Sequence, residues 1–245
     1  MKRFLIALQF LTVLPIKIKS EIAKEDFGGS LLYFPVVGML IGLVLSGAAL
    51  LFGFLPNPVV GVLILIISIV ITGGIHLDGF ADTCDGFYGP RPKEKILEIM
   101  RDSRAGVMGV IGIFCLLSLK FTLIVSTPKN VLWKLLILMT AFARWSQILA
   151  CYTSNYAREE GKAKYFVEYD SKKELLVGGI FTVVLFLLLL KLEGVILFVL
   201  SLVPILLFIN YIKRKIGGMT GDTIGAISEI AEVAVLFFGL FDLGE

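Results

Sequence analysis

The chain has 245 residues, of which 57% are hydrophobic, and its mean hydropathy is +0.92, far more apolar sequence than a soluble core of this size needs. A formal net charge of +3 gives no reason to expect nucleic acid as a partner, and three scattered cysteines (Cys84, Cys115, Cys151) show neither disulfide nor zinc spacing. What remains is an all-α, polytopic membrane bundle, expected as one integral-membrane domain over residues 1–245.

Residues 1–16 begin with Lys2 and Arg3 and then turn apolar as far as Pro15. There is no small-residue cleavage site, and the run falls short of the roughly 20 apolar residues that a crossing takes. It predicts an interfacial or re-entrant helix with Phe4, Leu8 and Leu11 toward lipid. Seven longer apolar stretches follow, at 31–55, 59–75, 107–126, 131–150, 175–190, 195–212 and 224–240. Short turns alternate between them with longer charged loops. Of the 23 Lys and Arg residues, 16 lie in the long loops and 3 on the short-turn side. The long-loop face is therefore expected to lie in the cytoplasm, with the chain in the cytoplasmic (inner) membrane.

The second apolar stretch runs into His76-Leu-Asp-Gly-Phe-Ala-Asp-Thr-Cys-Asp-Gly86. On a helix, Asp78, Asp82 and Asp85 fall within about 60° of arc. Three carboxylates on one stripe repel each other unless a cation sits among them. A hard divalent ion, Mg²⁺ or Mn²⁺, suits oxygen ligands, and at a membrane surface it points to phosphate chemistry. His76, the only histidine, is either structural or a general acid/base and phosphate contact. An EF-hand is excluded by the carboxylate spacing, and zinc by the lack of clustered His and Cys.

The loop beyond predicts a short surface helix over 93–102 and then Arg101-Asp-Ser-Arg104-Ala-Gly106. Arg101, Arg104 and Ser103 suit phosphate oxygens, although anchoring at the membrane edge explains the arginines equally. Gly106, Gly109 and Gly112 open the next span and permit close backbone approach. Within the spans, Arg144 requires the bundle interior or a wet cavity, where it would meet phosphates, and Lys120 is expected to snorkel. Near the C-terminus, Thr220-Gly-Asp222-Thr223 follows two glycines, so Thr220 and nearby backbone N–H groups could receive an anion. Asp222 and Glu229 share a helical face. Glu229 and Glu232 in an apolar segment are either functional or structural partners of Arg144 or Lys120.

These blocks together resemble one family, the adenosylcobinamide-GDP ribazoletransferases, or cobalamin (5′-phosphate) synthases. The resemblance also covers Leu8-Gln-Phe-Leu-Thr-Val-Leu-Pro15, Tyr33-Phe-Pro-Val-Val-Gly-Met-Leu-Ile-Gly42, Ala143-Arg-Trp145 and Gly218-Met-Thr-Gly-Asp-Thr-Ile-Gly-Ala226. It departs at Cys84, where a small residue such as Ala is expected, and in the unusually charged loop 154–169, neither expected to touch a ligand. The resemblance implies attack by α-ribazole, or its 5′-phosphate, on the cobinamide-linked phosphate of adenosylcobinamide-GDP, with release of GMP and dependence on Mg²⁺. Asp78, Asp82 and Asp85 would hold the metal, and Arg101, Arg104 and Arg144 would contact the oxygens. Asp222 would complete the metal shell or take the proton from the ribose 5′-hydroxyl, with His76 as rival base and Asp82 in the same catalytic group. The substrates and the lipid bilayer are the expected partners; nucleic acid is not, and a homo-oligomer is compatible with the sequence. Two alternatives stand beside this reading: a CDP-alcohol-type phosphotransferase acting on lipids, and an ion-coupled transporter using Asp222, Glu229 and Glu232.

Overall fold

The computed structural model describes residues 1–102, 104–161, 163–169 and 171–242, and among these the only extended pairing is an isolated parallel bridge between Tyr156 and Met219. The rest is helix and connection. The helices are α1 (Lys2–Leu11), α2 (Lys24–Ser30), a 3₁₀ turn (Leu31–Tyr33), α3 (Phe34–Leu51), α4 (Asn57–Thr72), α5 (Ile75–Phe87), α6 (Lys93–Ile99), α7 (Val107–Ser126), α8 (Lys129–Tyr152), α9 (Lys164–Val167), α10 (Lys172–Ile216) and α11 (Gly221–Asp242).

α8 is the central post. It is the least apolar of the five membrane-length helices but the most enclosed, with 89% of its apolar window buried. A helix buried on all sides can carry polar residues if each finds a partner inside. α3, α10 and α11 surround it. Gly38 and Gly42, one turn apart on α3, let the two backbones touch. A Cβ at Gly38 would stand 2.4 Å from the Thr140 carbonyl oxygen, and one at Gly42 would stand 2.5 Å from the Ile137 Cα. This is the small-xxx-small device that helices use where lipid supplies no hydrophobic drive to association. The outer helices show the complementary pattern. Only 28% of the apolar window is buried in α7 and in α10, and Val110, Phe114, Leu188, Val199 and Leu207 point outward, as a lipid-facing surface requires.

The apolar stretches expected from sequence all fall within helices, although not as seven separate elements. Five helices are long and apolar enough to cross a membrane, and α4 with α5 forms a sixth candidate, bent by 93°. α10 contains two of the expected stretches. Lys191 leaves the helical region (φ 56°, ψ −138°), and the chain doubles back there. The Phe186 and Phe198 ring centroids lie 5.5 Å apart, whereas twelve residues of straight helix would separate them by about 18 Å. Phe142 of α8 packs against both rings and so clamps the hairpin.

One expectation is corrected here, while residues 76–87 form the helix that the aspartate spacing assumes. Gly73 and Gly74 both adopt left-handed conformations (φ 63° and 66°), which end α4 and turn the chain sharply into α5. α1 does not offer Leu11 to lipid: Leu11 is fully buried, and Phe4 and Leu8 also pack against the protein core. α1 is held to α2 by Lys2 Nζ on Asp26 Oδ2 at 2.5 Å. The chain beyond α1 is tied to α4 by the Val13 N–H donating to the Ile71 carbonyl at 2.8 Å.

Candidate active site

The site is built where α5 crosses α11. Gly79 allows the crossing, because a Cβ there would stand 2.7 Å from the Asp222 carbonyl oxygen. Gly225 lies against the His76 backbone in the same way, with its Cβ position 3.2 Å from the His76 Cα. The crossing places His76, Asp78 and Asp82 of α5 beside Asp222, the second residue of α11.

A third segment completes it. The Ala157 N–H donates to the Met219 carbonyl and the Met219 N–H to the Asn155 carbonyl, both at 2.8 Å. This two-bond tie fixes the loop after α8 against the entry to α11. Arg158 then reaches Asp222, Nη2 to Oδ2 at 2.7 Å, and also donates to the Met100 carbonyl at 3.3 Å. Its Nε is buried without a protein partner. Arg158 is the functional candidate that the sequence reading missed. The departure in loop 154–169, set aside there as remote from any ligand, contains the cation that pairs with Asp222.

His76, Asp78, Gln147, Tyr156, Arg158 and Asp222 line a cavity whose other walls include Phe10, Phe34 and Phe166. His76 and Gln147 are both buried, with His76 Nε2 2.8 Å from Gln147 Nε2. In that orientation the amide donates and the imidazole carries its proton on Nδ1; turning the amide over reverses the roles. Either way His76 Nδ1 and one end of the Gln147 amide have no protein partner. Such groups are costly to bury unless a ligand or water completes them. Outside this cavity, an open groove is bordered by Lys93, Arg101, Tyr156 and Arg158 and by Glu94, Glu98 and Glu159. The two spaces share Tyr156 and Arg158. Burial pushes the Tyr156 phenol up, so it stays neutral.

The remaining expected site residues are placed as follows. Asp85 lies in the same stripe as Asp78 and Asp82, but its carboxylate is engaged with α7. The Gly106 N–H donates to Oδ2 and the Gly109 N–H to Oδ1, each at 2.8 Å. A carboxylate there meets unpaired amides and the positive end of the helix dipole. The two glycines make room for it, since a Cβ at either would fall within 2.6 Å of an Asp85 oxygen. Arg101 is exposed at the groove edge. Arg104 is exposed and forked onto Asp102, Nε to Oδ1 at 3.0 Å and Nη2 to Oδ2 at 2.7 Å, which holds the Asp102 carboxyl down at about 2. Ser103 lies outside the described residues.

Thr220 is fully buried and engaged with Thr223. The Thr223 N–H donates to its Oγ1 at 3.2 Å, and its own N–H donates to Thr223 Oγ1 at 2.9 Å. This reciprocal cap opens α11, and the Thr220 hydroxyl also points to Asp222 Oδ2 at 3.5 Å, so its partners lie within the protein. Arg144 is likewise committed. It donates to Ser228 Oγ at 2.5 Å and to Glu232 Oε1 at 3.1 Å, at 1% exposure. Lys120 does not snorkel; it is buried between Glu229 Oε2 at 2.5 Å and Glu232 Oε2 at 2.6 Å. Two cations and two carboxylates thus neutralise one another inside the bundle, the structural alternative open from the sequence. Glu229 and Glu232 are bound up in these pairs and do not form an ion pathway.

Among the described residues, no three His, Cys, Asp or Glu side chains come together closely enough to hold a metal ion by themselves. The three-aspartate cage is not assembled, because the Asp85 carboxylate is taken up by the amides that open α7. Asp78 and Asp82 differ from Asp85 and Asp222 in having no cationic or amide partner among the described residues. Two unneutralised carboxylates one turn apart are a donor set of the kind Mg²⁺ uses together with substrate phosphates.

A multi-pass helical membrane protein with carboxylates and a guanidinium gathered at the mouth of a cavity is the class that fold and site define. Comparison with known proteins makes it particular. The chain matches the cobalamin-5-phosphate synthase family over residues 3–240 and belongs to that family, which makes it a transferase of cobalamin synthesis. It is 39% identical to a protein of Clostridium acetobutylicum (97% of this chain, 98% of the relative) and 38% identical to one of Acetivibrio thermocellus (97% and 98%). It is also 38% identical to one of Alkaliphilus metalliredigens (100% and 97%). All three relatives are named adenosylcobinamide-GDP ribazoletransferase. No solved structure matches the chain. The resemblance read from the sequence is borne out, and the lipid phosphotransferase and transporter alternatives give way to it.

Proposed function

We propose that the protein transfers the adenosylcobinamide-phosphate group of adenosylcobinamide-GDP to α-ribazole or its 5′-phosphate, releasing GMP. The observation that carries this reading is the shared wall between a cavity and an open, charged groove, with Arg158 and Asp222 paired at it. A two-substrate transfer needs two spaces that meet at the reacting phosphorus. In the groove Lys93, Arg101 and Arg158 offer contacts to a diphosphate, with Glu94, Glu98 and Glu159 on the same lining, and the cavity suits a smaller, less polar acceptor.

In the reaction, a ribose hydroxyl forms a new P–O bond at the phosphorus that bears the cobinamide. The P–O bond to the GMP phosphate breaks, and the bridging oxygen leaves with GMP. The attacking group is not the 5′-hydroxyl assumed from sequence, because a 5′-phosphorylated acceptor has none to offer. Asp222 accepts the hydroxyl proton; His76 Nδ1 is the rival acceptor when the Gln147 amide is turned so that its oxygen accepts from Nε2. Arg158 turns its unpartnered Nε to a non-bridging oxygen while its Nη2 holds Asp222, and so aligns base and phosphate. Asp78 and Asp82 would hold Mg²⁺ or Mn²⁺ against the diphosphate. When bound, the metal neutralises charge that grows on the departing GMP. The basic residues of the long loops, Arg101 and Arg158 among them, support a site facing the cytoplasm from the cytoplasmic (inner) membrane.

The test is GMP release from adenosylcobinamide-GDP and α-ribazole by purified protein in detergent micelles, with and without EDTA. Release should stop with EDTA and return with excess Mg²⁺. Release that ignores EDTA removes the metal role from Asp78 and Asp82, and no release under any condition removes the transferase reading.

A further inference from the structure

The cavity has two chemically distinct ends, and only one has a role so far. At the other end three phenylalanines from three separate elements meet: Phe10 of α1, Phe34 at the start of α3, and Phe166 of α9. Their centroids lie 4.8 Å (Phe10–Phe166), 5.7 Å (Phe34–Phe166) and 6.0 Å (Phe10–Phe34) apart. All three line the cavity, together with Leu31 and Ala163. Phe34 and Phe166 are nearly fully buried and Phe10 is half-buried, so part of one ring remains available to a ligand. The same cavity also holds the buried pair His76 and Gln147, with His76 Nδ1 and Gln147 Oε1 unpartnered.

An aromatic-walled chamber with one polar wall fits a molecule that is planar and apolar at one end and hydroxylated at the other. A lipid tail would satisfy the rings and leave His76 and Gln147 orphaned. A sugar phosphate would do the reverse. A nucleoside with a fused benzimidazole base satisfies both, because the base packs on the open side of the aromatic cluster, against Phe10 held by Phe34 and Phe166, and the ribose meets the polar groups. Resting on the transferase reading above, we propose that Phe10, Phe34 and Phe166 form the acceptor-base subsite and set the preference for a benzimidazole over a smaller base. The base then enters from the α1–α9 side, and its ribose faces His76, Gln147 and Asp222.

The experiment is calorimetric binding to the full-length protein in micelles, without the corrinoid donor. The probes are α-ribazole and the matching α-nucleoside with a single-ring imidazole base. The wild-type protein should bind α-ribazole about ten- to a hundredfold more tightly, the scale of a lost base–aromatic stack. Phe10→Leu and Phe166→Leu should shrink that ratio toward one, whereas Phe10→Tyr, which keeps the ring, should preserve it. The ratio is read within each variant, so partial unfolding lowers both affinities and leaves it intact. A ratio that survives both leucine variants overturns the subsite, as does a wild-type protein that does not discriminate between the nucleosides. A protein that discriminates through these rings yet releases no GMP keeps the subsite and loses the transferase reading. Release of GMP with a ratio insensitive to the rings does the opposite.

Discussion

Two charged clusters lie on α11, and they differ in what is left over. At Glu229 and Glu232 every charge is spent. Lys120 bonds both carboxylates, Arg144 takes the remaining oxygen of Glu232, and no more than 7% of any of the four side chains is exposed. At Asp222, two turns earlier, the arithmetic is incomplete. One arginine meets one aspartate, and Asp78 and Asp82 stand alongside without a cation partner among the described residues. A charge inside a membrane protein is costly in either place. Where the protein supplies the counter-charge itself, the cluster is architecture. Where it does not, the missing charge is the ligand's to supply.

The largest effect that sharpens this contrast is expected from Asp78→Asn. Without the charge that has no protein partner, GMP release should fall about a thousandfold or more while expression and thermal unfolding stay near wild type. Near-normal turnover would place Asp78 with the architectural residues. Glu232→Gln should do the converse. It leaves Arg144 and Lys120 sharing one carboxylate and should destabilise the fold by about 3–5 kcal/mol, since the cost of breaking a buried pair falls on the charge left behind. Release per folded molecule should then stay within a few-fold of wild type, measured on protein sorted by size exclusion. Asp85→Asn tests the smallest difference. If Asp85 serves α7, the change costs about 1 kcal/mol of stability, as weakened N-caps do, and modest activity. A loss equal to that of Asp78→Asn would return Asp85 to the metal set.

How much of this was legible in the sequence follows the same divide. The aspartate stripe, the Thr-Gly-Asp-Thr block and the membrane class are local signals, carried by spacing and hydropathy within one segment. What required the fold was pairing at a distance. Arg158 reaches Asp222 only because Asn155 and Ala157 are tied to Met219, about sixty residues along the chain, and nothing in the spacing announces that bridge. Arg144 drew attention because a guanidinium inside a span is expensive, but the expense was already met by Glu232 on another helix. Asp85 was indistinguishable from Asp78 and Asp82 by helical phase. Its partners are backbone amides, which carry no sequence letter, and the only written clue was the glycine pair at 106 and 109. The Gly73-Gly74 turn, which makes 76–87 a helix set across α4, was hidden in an apolar run that reads as uninterrupted.

The most direct test of the account is the rate of GMP release by Arg158→Ala at saturating α-ribazole and Mg²⁺, on protein shown to be folded. Arg158 is the one residue common to cavity, groove and Asp222, so the rate should fall about a hundredfold or more, with the KM for adenosylcobinamide-GDP raised. A variant that turns over at close to the wild-type rate would contradict the placement of the transfer at this junction.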